Sequence, residues 1–174
     1  MTVRTFLRTV SLLLLGLWLG AAIFFSAAVA PNVFAVLRGA ELPNATTLAG
    51  SIVTRLLAII NKGGFEIGLF VLVVSFFMTR GQKSIRRIAE MLSLAIMAIM
   101  TAIGHWVVAA RMATLRAAMQ LPIDQIVPTD ARRLEFDSLH RYSVVMLSVA
   151  IIAALIALIL RSLPDTKSTP PSSP

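Results

Sequence analysis

LLLLGLWLGAAIFFSAAVAP, Leu12 to Pro31, is the stretch whose reading decides the fold. No charged residue falls between Arg8 and Arg38. A helix of about 20 residues crosses the roughly 30 Å hydrocarbon layer, so the run reads as a membrane span. At about 100° per residue, Gly16, Gly20, Ile23 and Ala27 share one narrow face, and Leu14, Trp18 and Phe25 lie opposite. Lipid tails already satisfy apolar side chains, so helices associate in a bilayer by close backbone approach. The Gly16-x-x-x-Gly20 pair therefore predicts a smooth face turned toward the other helices.

The same stretch has a rival reading. Arg4 and Arg8, the apolar run and Ala28-Val29-Ala30 imitate a secretory signal with its cleavage site. The run exceeds the roughly 7 to 15 residues of a signal core, and Pro31 just after the site suits protease docking poorly. A retained span is the expectation.

Composition points the same way. With 57% hydrophobic residues, mean hydropathy +0.86 and only 14% charged residues, the 174-residue chain has too little polar surface to cover a soluble globule. The 16 Lys and Arg exceed the 8 Asp and Glu, but they collect at the ends of apolar runs, where lipid headgroups explain them better than nucleic acid does. Cysteine is absent, which removes disulfides, thiolate catalysis and cysteine-ligated metals.

Along the chain, spans are expected at about 10–30, 64–79, 91–110 and 142–160. A turn is predicted at Arg38 to Pro43, then an interfacial helix at about 45–60 that Gly63-Gly64 breaks or kinks before the second span. The third helix can continue past the membrane to about Met119. Asp130 or Thr129 can cap the fourth, which starts outside the bilayer. Residues 164–174 are Ser, Thr and Pro with little to bury and read as a disordered tail. The fold class is an all-α integral membrane bundle of four helices with an extra interfacial helix.

Four spans put both termini on one side. The basic residues tie in number across the two sides, but Arg4, Arg8, Arg80, Lys83, Arg86, Arg87, Arg161 and Lys167 crowd short segments close to span ends. Cytoplasmic termini in a plasma (inner) membrane are expected.

The chemistry-bearing candidates cluster on the opposite, outer side. In FDSLHRYS, Phe136, Leu139, His140 and Ser143 share a helical face, and the heptad step continues through Ala150 and Ala157 as an inward seam. His140 thus points at the bundle, with Asp137 beside it. His105 falls slightly deeper on the third helix. Two histidines could bind haem or a metal, but no helix carries a closely spaced pair, so neither metal nor other cofactor is expected. Arg55, Glu66, Arg111 and Asp137 fall near the same interface. At least one cross-helix ion pair is expected, from Arg55 or Arg111 to Glu66 or Asp137. Nucleophile elbows, phosphate loops and metalloprotease helices are missing, and no enzyme activity is expected.

The string GLWLGAAIFFSAAVAP with Phe34 and Leu37, together with FDSLHRYS, resembles the transmembrane protein 205-like family, also called domain of unknown function 4149. The resemblance covers about Leu7 to Leu160 and implies a four-span α-helical protein. It also implies a family in which a vertebrate member is associated with cisplatin resistance and bacterial members have no assigned activity. The positions it carries over are Gly16, Trp18, Gly20, Phe24, Phe25, Pro31, Phe34, Phe136, Leu139, His140 and Ser143. Two functions stand as expectations. One is handling of, or resistance to, a cationic, metal-containing or xenobiotic solute at a polar outer site. The other is an accessory subunit, as a homo-oligomer or in a larger membrane complex.

Overall fold

The computed structural model describes residues 2–78, 84–119 and 121–163, apart from the side chain at 124. The predicted tail at 164–174 and most of the basic connection between the second and third spans lie outside the described residues. Four helices hold nearly everything else: α1 (Val3–Gly39), α2 (Ala45–Met78), α3 (Ile85–Met119) and α4 (Ala131–Ser162). Each is long and apolar enough to cross a membrane, and the described residues include no strand. The protein is an all-α bundle of four spans.

Neighbouring helices run antiparallel. Arg4 on α1 donates to the Met78 carbonyl ending α2, Arg116 late in α3 reaches Gly50 early in α2, and Arg86 opening α3 reaches Leu160 near the end of α4. α1 packs on α2 and α4, and α3 packs on the same two, so the helices form a ring in chain order. Both ends of the described chain lie at one end of the bundle, called here the terminal end. The α1–α2 and α3–α4 connections make the far end.

Arginines cap the helices that stop at the terminal end. Arg8 Nη2 donates to the carbonyls of Arg161, Ser162 and Leu163 at 2.9, 3.3 and 2.8 Å, and Arg86 Nε donates to Leu160 at 2.8 Å. The last carbonyls of a helix lack partners within it and carry partial negative charge, so cations settle there. At the far end Arg132 does the same for Ala118 of α3 (3.0 Å), and Asp130 caps α4 by accepting from the Arg132 N–H at 2.8 Å.

Three expectations need correction. The first concerns the Gly16 and Gly20 face, which does not turn inward. A Cβ added at either glycine would meet nothing within 4 Å, and Gly20 is exposed. The opposite face enters the core with Ser11, Leu15, Trp18, Leu19, Ala22 and Phe25, because Trp18 finds both a slot and a partner there. Its indole N–H donates to the Ile60 carbonyl at 2.8 Å, which satisfies the polar atom of a side chain otherwise 4% exposed.

The second is the separate interfacial helix. α2 runs unbroken for 34 residues, about 51 Å at 1.5 Å per residue, so 45–60 and 64–78 are one rod. Gly63 and Gly64 do not break it, because their role is spatial. A Cβ on Gly64 would stand 2.8 Å from the Trp18 ring and from the Thr101 methyl, and one on Gly68 would touch the Ala98 backbone at 3.4 Å. Close helix approach through a glycine pair does occur, but at Gly64-x-x-x-Gly68 between α2 and α3.

The third is the end of the first helix, which continues through Pro31 to Gly39. A proline lacks the N–H and clashes with the carbonyl four residues back. The turn Phe25–Val29 widens, with the Ala30 N–H bonded to the Phe25 carbonyl five residues back, and this absorbs the ring. The chain then reverses through Glu41, whose φ of 53° is left-handed.

Candidate functional site

A cavity of about 530 Å³ opens at the far end, walled by all four helices and the α3–α4 connection. α1 supplies Phe34 and Arg38, α2 Thr47, Gly50, Thr54 and Asn61, α3 Met112 and Arg116, and α4 Phe136, Asp137, His140 and Ser143. The α4 residues sit there because the seam read from the sequence faces inward: Phe136, Ser143, Ala150 and Ala157 are all buried. At the deep end lies Asn61, 3% exposed. Opposite it α3 widens into a second π-type turn, Ile103–Val108, and a Cβ at Gly104 would lie 3.0 Å from Asn61 Nδ2. Such turns re-aim a helix where a polar group needs room.

Arg116 dominates the wall. Its Nη1 donates to Thr54 Oγ1 at 2.9 Å, its Nη2 to the Gly50 carbonyl at 3.3 Å, and its guanidinium lies over the Phe136 ring, 5.1 Å from the centroid. Gly50 is the residue that admits it, since a Cβ there would come within 3.1 Å of Nη2. The side chain is half-buried, yet it forms no ion pair with any carboxylate among the described residues. Asp137 lines the same cavity without pairing to it.

The other sequence candidates lie elsewhere. Glu66 pairs along its own helix with Lys62 at 3.8 Å, and both are well exposed. Arg111 does make a cross-helix pair, but with Glu135 at 2.7 Å and not with Glu66 or Asp137, because the start of α4 brings Glu135 alongside α3. Arg55 is exposed and lines no part of the cavity. His105 packs edge-on against Trp106, ring centroids 4.8 Å apart, and its buried Nδ1 has no hydrogen-bond partner among the described residues. Nothing brings His105 into the cavity wall with His140. No group of three or more potential metal-ligating residues occurs among the described residues.

The terminal end holds a polar cluster that the sequence reading missed. Arg161, 8% exposed, donates from Nη1 to Glu90 Oε1 at 2.5 Å and to Ser75 Oγ at 2.6 Å, and from Nη2 to Ser11 Oγ at 3.1 Å. Ser75 donates onward to Glu90 at 3.1 Å, and Ser11 to the Leu7 carbonyl at 2.7 Å. One residue from each helix takes part. Only the Arg161 Nε is left without a partner among the described residues. The signal was available: Glu90 shares a face with the buried Ser93, Met97 and Thr101, and Arg161 with Ala150, Ala154 and Ala157.

A family model, Domain of unknown function (DUF4149), matches residues 13–120. The chain belongs to this family. The DUF4149 region takes in the Trp18–Gly64 contact, Asn61, Arg116 with its Gly50 and Thr54 partners, and Glu90. It ends before α4, so Phe136 to Ser143 and Arg161 lie beyond it. Of the two strings that carried the resemblance, the match therefore covers the first and not FDSLHRYS. No curated protein and no solved structure matches the chain.

Proposed function

We propose that this DUF4149 membrane protein takes a small amphiphilic solute into its far-end cavity and acts by binding or sequestering it, without chemistry upon it. One observation carries this reading. A space of about 530 Å³ between the helices has a wall that is apolar over most of its surface, and polar groups including Arg116, Arg38, Asn61, Asp137 and His140 converge on it. Small-molecule sites have this size, roughly 300 to 1,000 Å³, and this balance. The crowding of Arg4, Arg8, Arg86 and Arg87 at the terminal end supports termini in the cytoplasm of a plasma (inner) membrane, with the cavity opening outward.

The test pairs cells with purified protein. Ala58 of α2 lines the cavity, so Ala58→Trp places an indole in its wall, and cells carrying it should share the altered amphiphile and drug sensitivity of a deletion strain while keeping normal protein levels. Wild-type sensitivity in both the deletion and the Ala58→Trp strain would refute the proposal.

The open Gly16 and Gly20 face favours a second reading, in which α1 packs against another copy or a membrane partner. Cysteine crosslinking from Gly20 in native membranes tests it. A crosslink of defined mass supports the reading, and monomer alone under saturating crosslinker removes it.

A further inference from the structure

We infer that the cavity selects an anionic amphiphile, with Arg116 as the recognition residue for its charged head and the apolar wall as the seat of its tail. This deepens the solute-binding reading and rests on it. A cation inside a bundle needs a counter-charge, because burial in low dielectric is otherwise costly. The protein supplies one to Arg161 and none to Arg116 among the described residues. Arg116 is instead held in place by neutral acceptors. Thr54 and the Gly50 carbonyl engage one N–H on each Nη, and the Phe136 ring backs the guanidinium plane. A guanidinium has five N–H donors in a planar fork, so three remain to meet a carboxylate or phosphate.

The rest of the wall agrees. Arg38 lies on the same cavity, the Phe34 ring centroid 5.4 Å from its guanidinium, so among the described residues two arginines face one carboxylate, Asp137. That balance disfavours the cationic solute expected from the sequence. Between the polar groups the wall is apolar, and Val53, Leu57 and Met112 offer a surface suited to a single alkyl chain. A free acyl anion and the head of an anionic phospholipid share the recognised chemistry.

The experiment uses the full chain in phosphatidylcholine nanodiscs, with empty nanodiscs as background, and radiolabelled dodecanoate as probe. Dodecanol and dodecyltrimethylammonium serve as competitors of equal chain length. Saturable dodecanoate binding is expected, with both competitors at least about tenfold weaker. Arg116→Gln should lose about tenfold or more in affinity, a difference of about 1.4 kcal/mol or more, and Arg116→Lys should lose less. Phosphatidylglycerol in the nanodisc suppresses dodecanoate binding if a phospholipid head is the natural occupant, and leaves it unchanged if the occupant is a free amphiphile. Should Arg116→Gln not fold, the ranking of the three dodecyl probes on wild-type protein decides alone.

Equal binding of the three probes to wild type, abolished by Ala58→Trp, would overturn the anion inference and leave the cavity reading standing. No saturable binding of any probe would overturn both. Undiminished dodecanoate affinity in folded Arg116→Gln would remove Arg116 from the site.

Discussion

Two arginines point into the two ends of the same bundle, and their surroundings differ most in counter-charge. Arg161 at the terminal end has a carboxylate at 2.5 Å and hydroxyls from two further helices, and the helices close over it. Arg116 at the far end has a hydroxyl, a carbonyl and an aromatic ring, no carboxylate among the described residues, and a cavity beside it. Where the protein neutralises its own charge, the arginine becomes a structural tie. Where it leaves the charge open beside an amphiphile-sized space, the arginine is available to something else. The comparison predicts that the same kind of substitution acts on stability at one end and on binding at the other.

The largest effect belongs to the closed end. Glu90→Leu strands a buried guanidinium and should destabilise the protein by about 3 to 5 kcal/mol, measured by thermal unfolding in a fixed detergent. Adding Arg161→Met should recover much of that loss. If the double variant is no better than the single one, the ion pair is not what holds the terminal end together. Arg116→Gln should cost far less stability than Glu90→Leu, since Arg116 is only half-buried and its partners are neutral; equal losses would erase the distinction between the ends.

Between the two ends lies the belt where Trp18, Gly64 and Thr101 meet. Gly64→Ala pushes a methyl into the Trp18 ring and should cost about 1 to 3 kcal/mol, whereas Gly16→Ala should leave the unfolding midpoint of the monomer essentially unmoved. Reversal of that order would restore the inward face first expected for α1. Trp18→Phe keeps an aromatic ring but drops the donor to Ile60, for a loss of about 1 kcal/mol from the missing hydrogen bond. Glu135→Gln, which breaks an exposed pair, should change stability by less than about 1 kcal/mol, so a larger loss would mean that the mouth of the cavity depends on Arg111.

The architecture was legible because it depends on coarse properties. Four apolar runs of membrane length, and the seam of Phe136, Ser143, Ala150 and Ala157, can be read from hydropathy and from a period of about 3.6. Which glycine pair packs was not legible, since Gly16-x-x-x-Gly20 and Gly64-x-x-x-Gly68 look alike until Trp18 is seen to need the second as its slot. The cavity is legible in part: His140, Asp137 and Ser143 line it, whereas Arg116 falls on the stretch of the third helix that the sequence places past the membrane. Its importance comes from Gly50, Thr54 and Phe136, which lie far from it in the chain, and from a missing counter-charge that no spacing rule reveals. Arg161 reads from the sequence as a boundary charge because it stands at the end of an apolar run, and no motif singles out Glu90. Their helical faces, continuous with buried alanines and with Met97, placed them inside.

The most direct test of the contrast is the unfolding midpoint of wild type and Arg116→Gln, each with and without saturating dodecanoate. A ligand that supplies the missing counter-charge must stabilise the state it binds. Wild type should therefore shift upward with dodecanoate, and Arg116→Gln should not. An equal upward shift in both proteins would contradict the claim that Arg116 takes its counter-charge from a ligand.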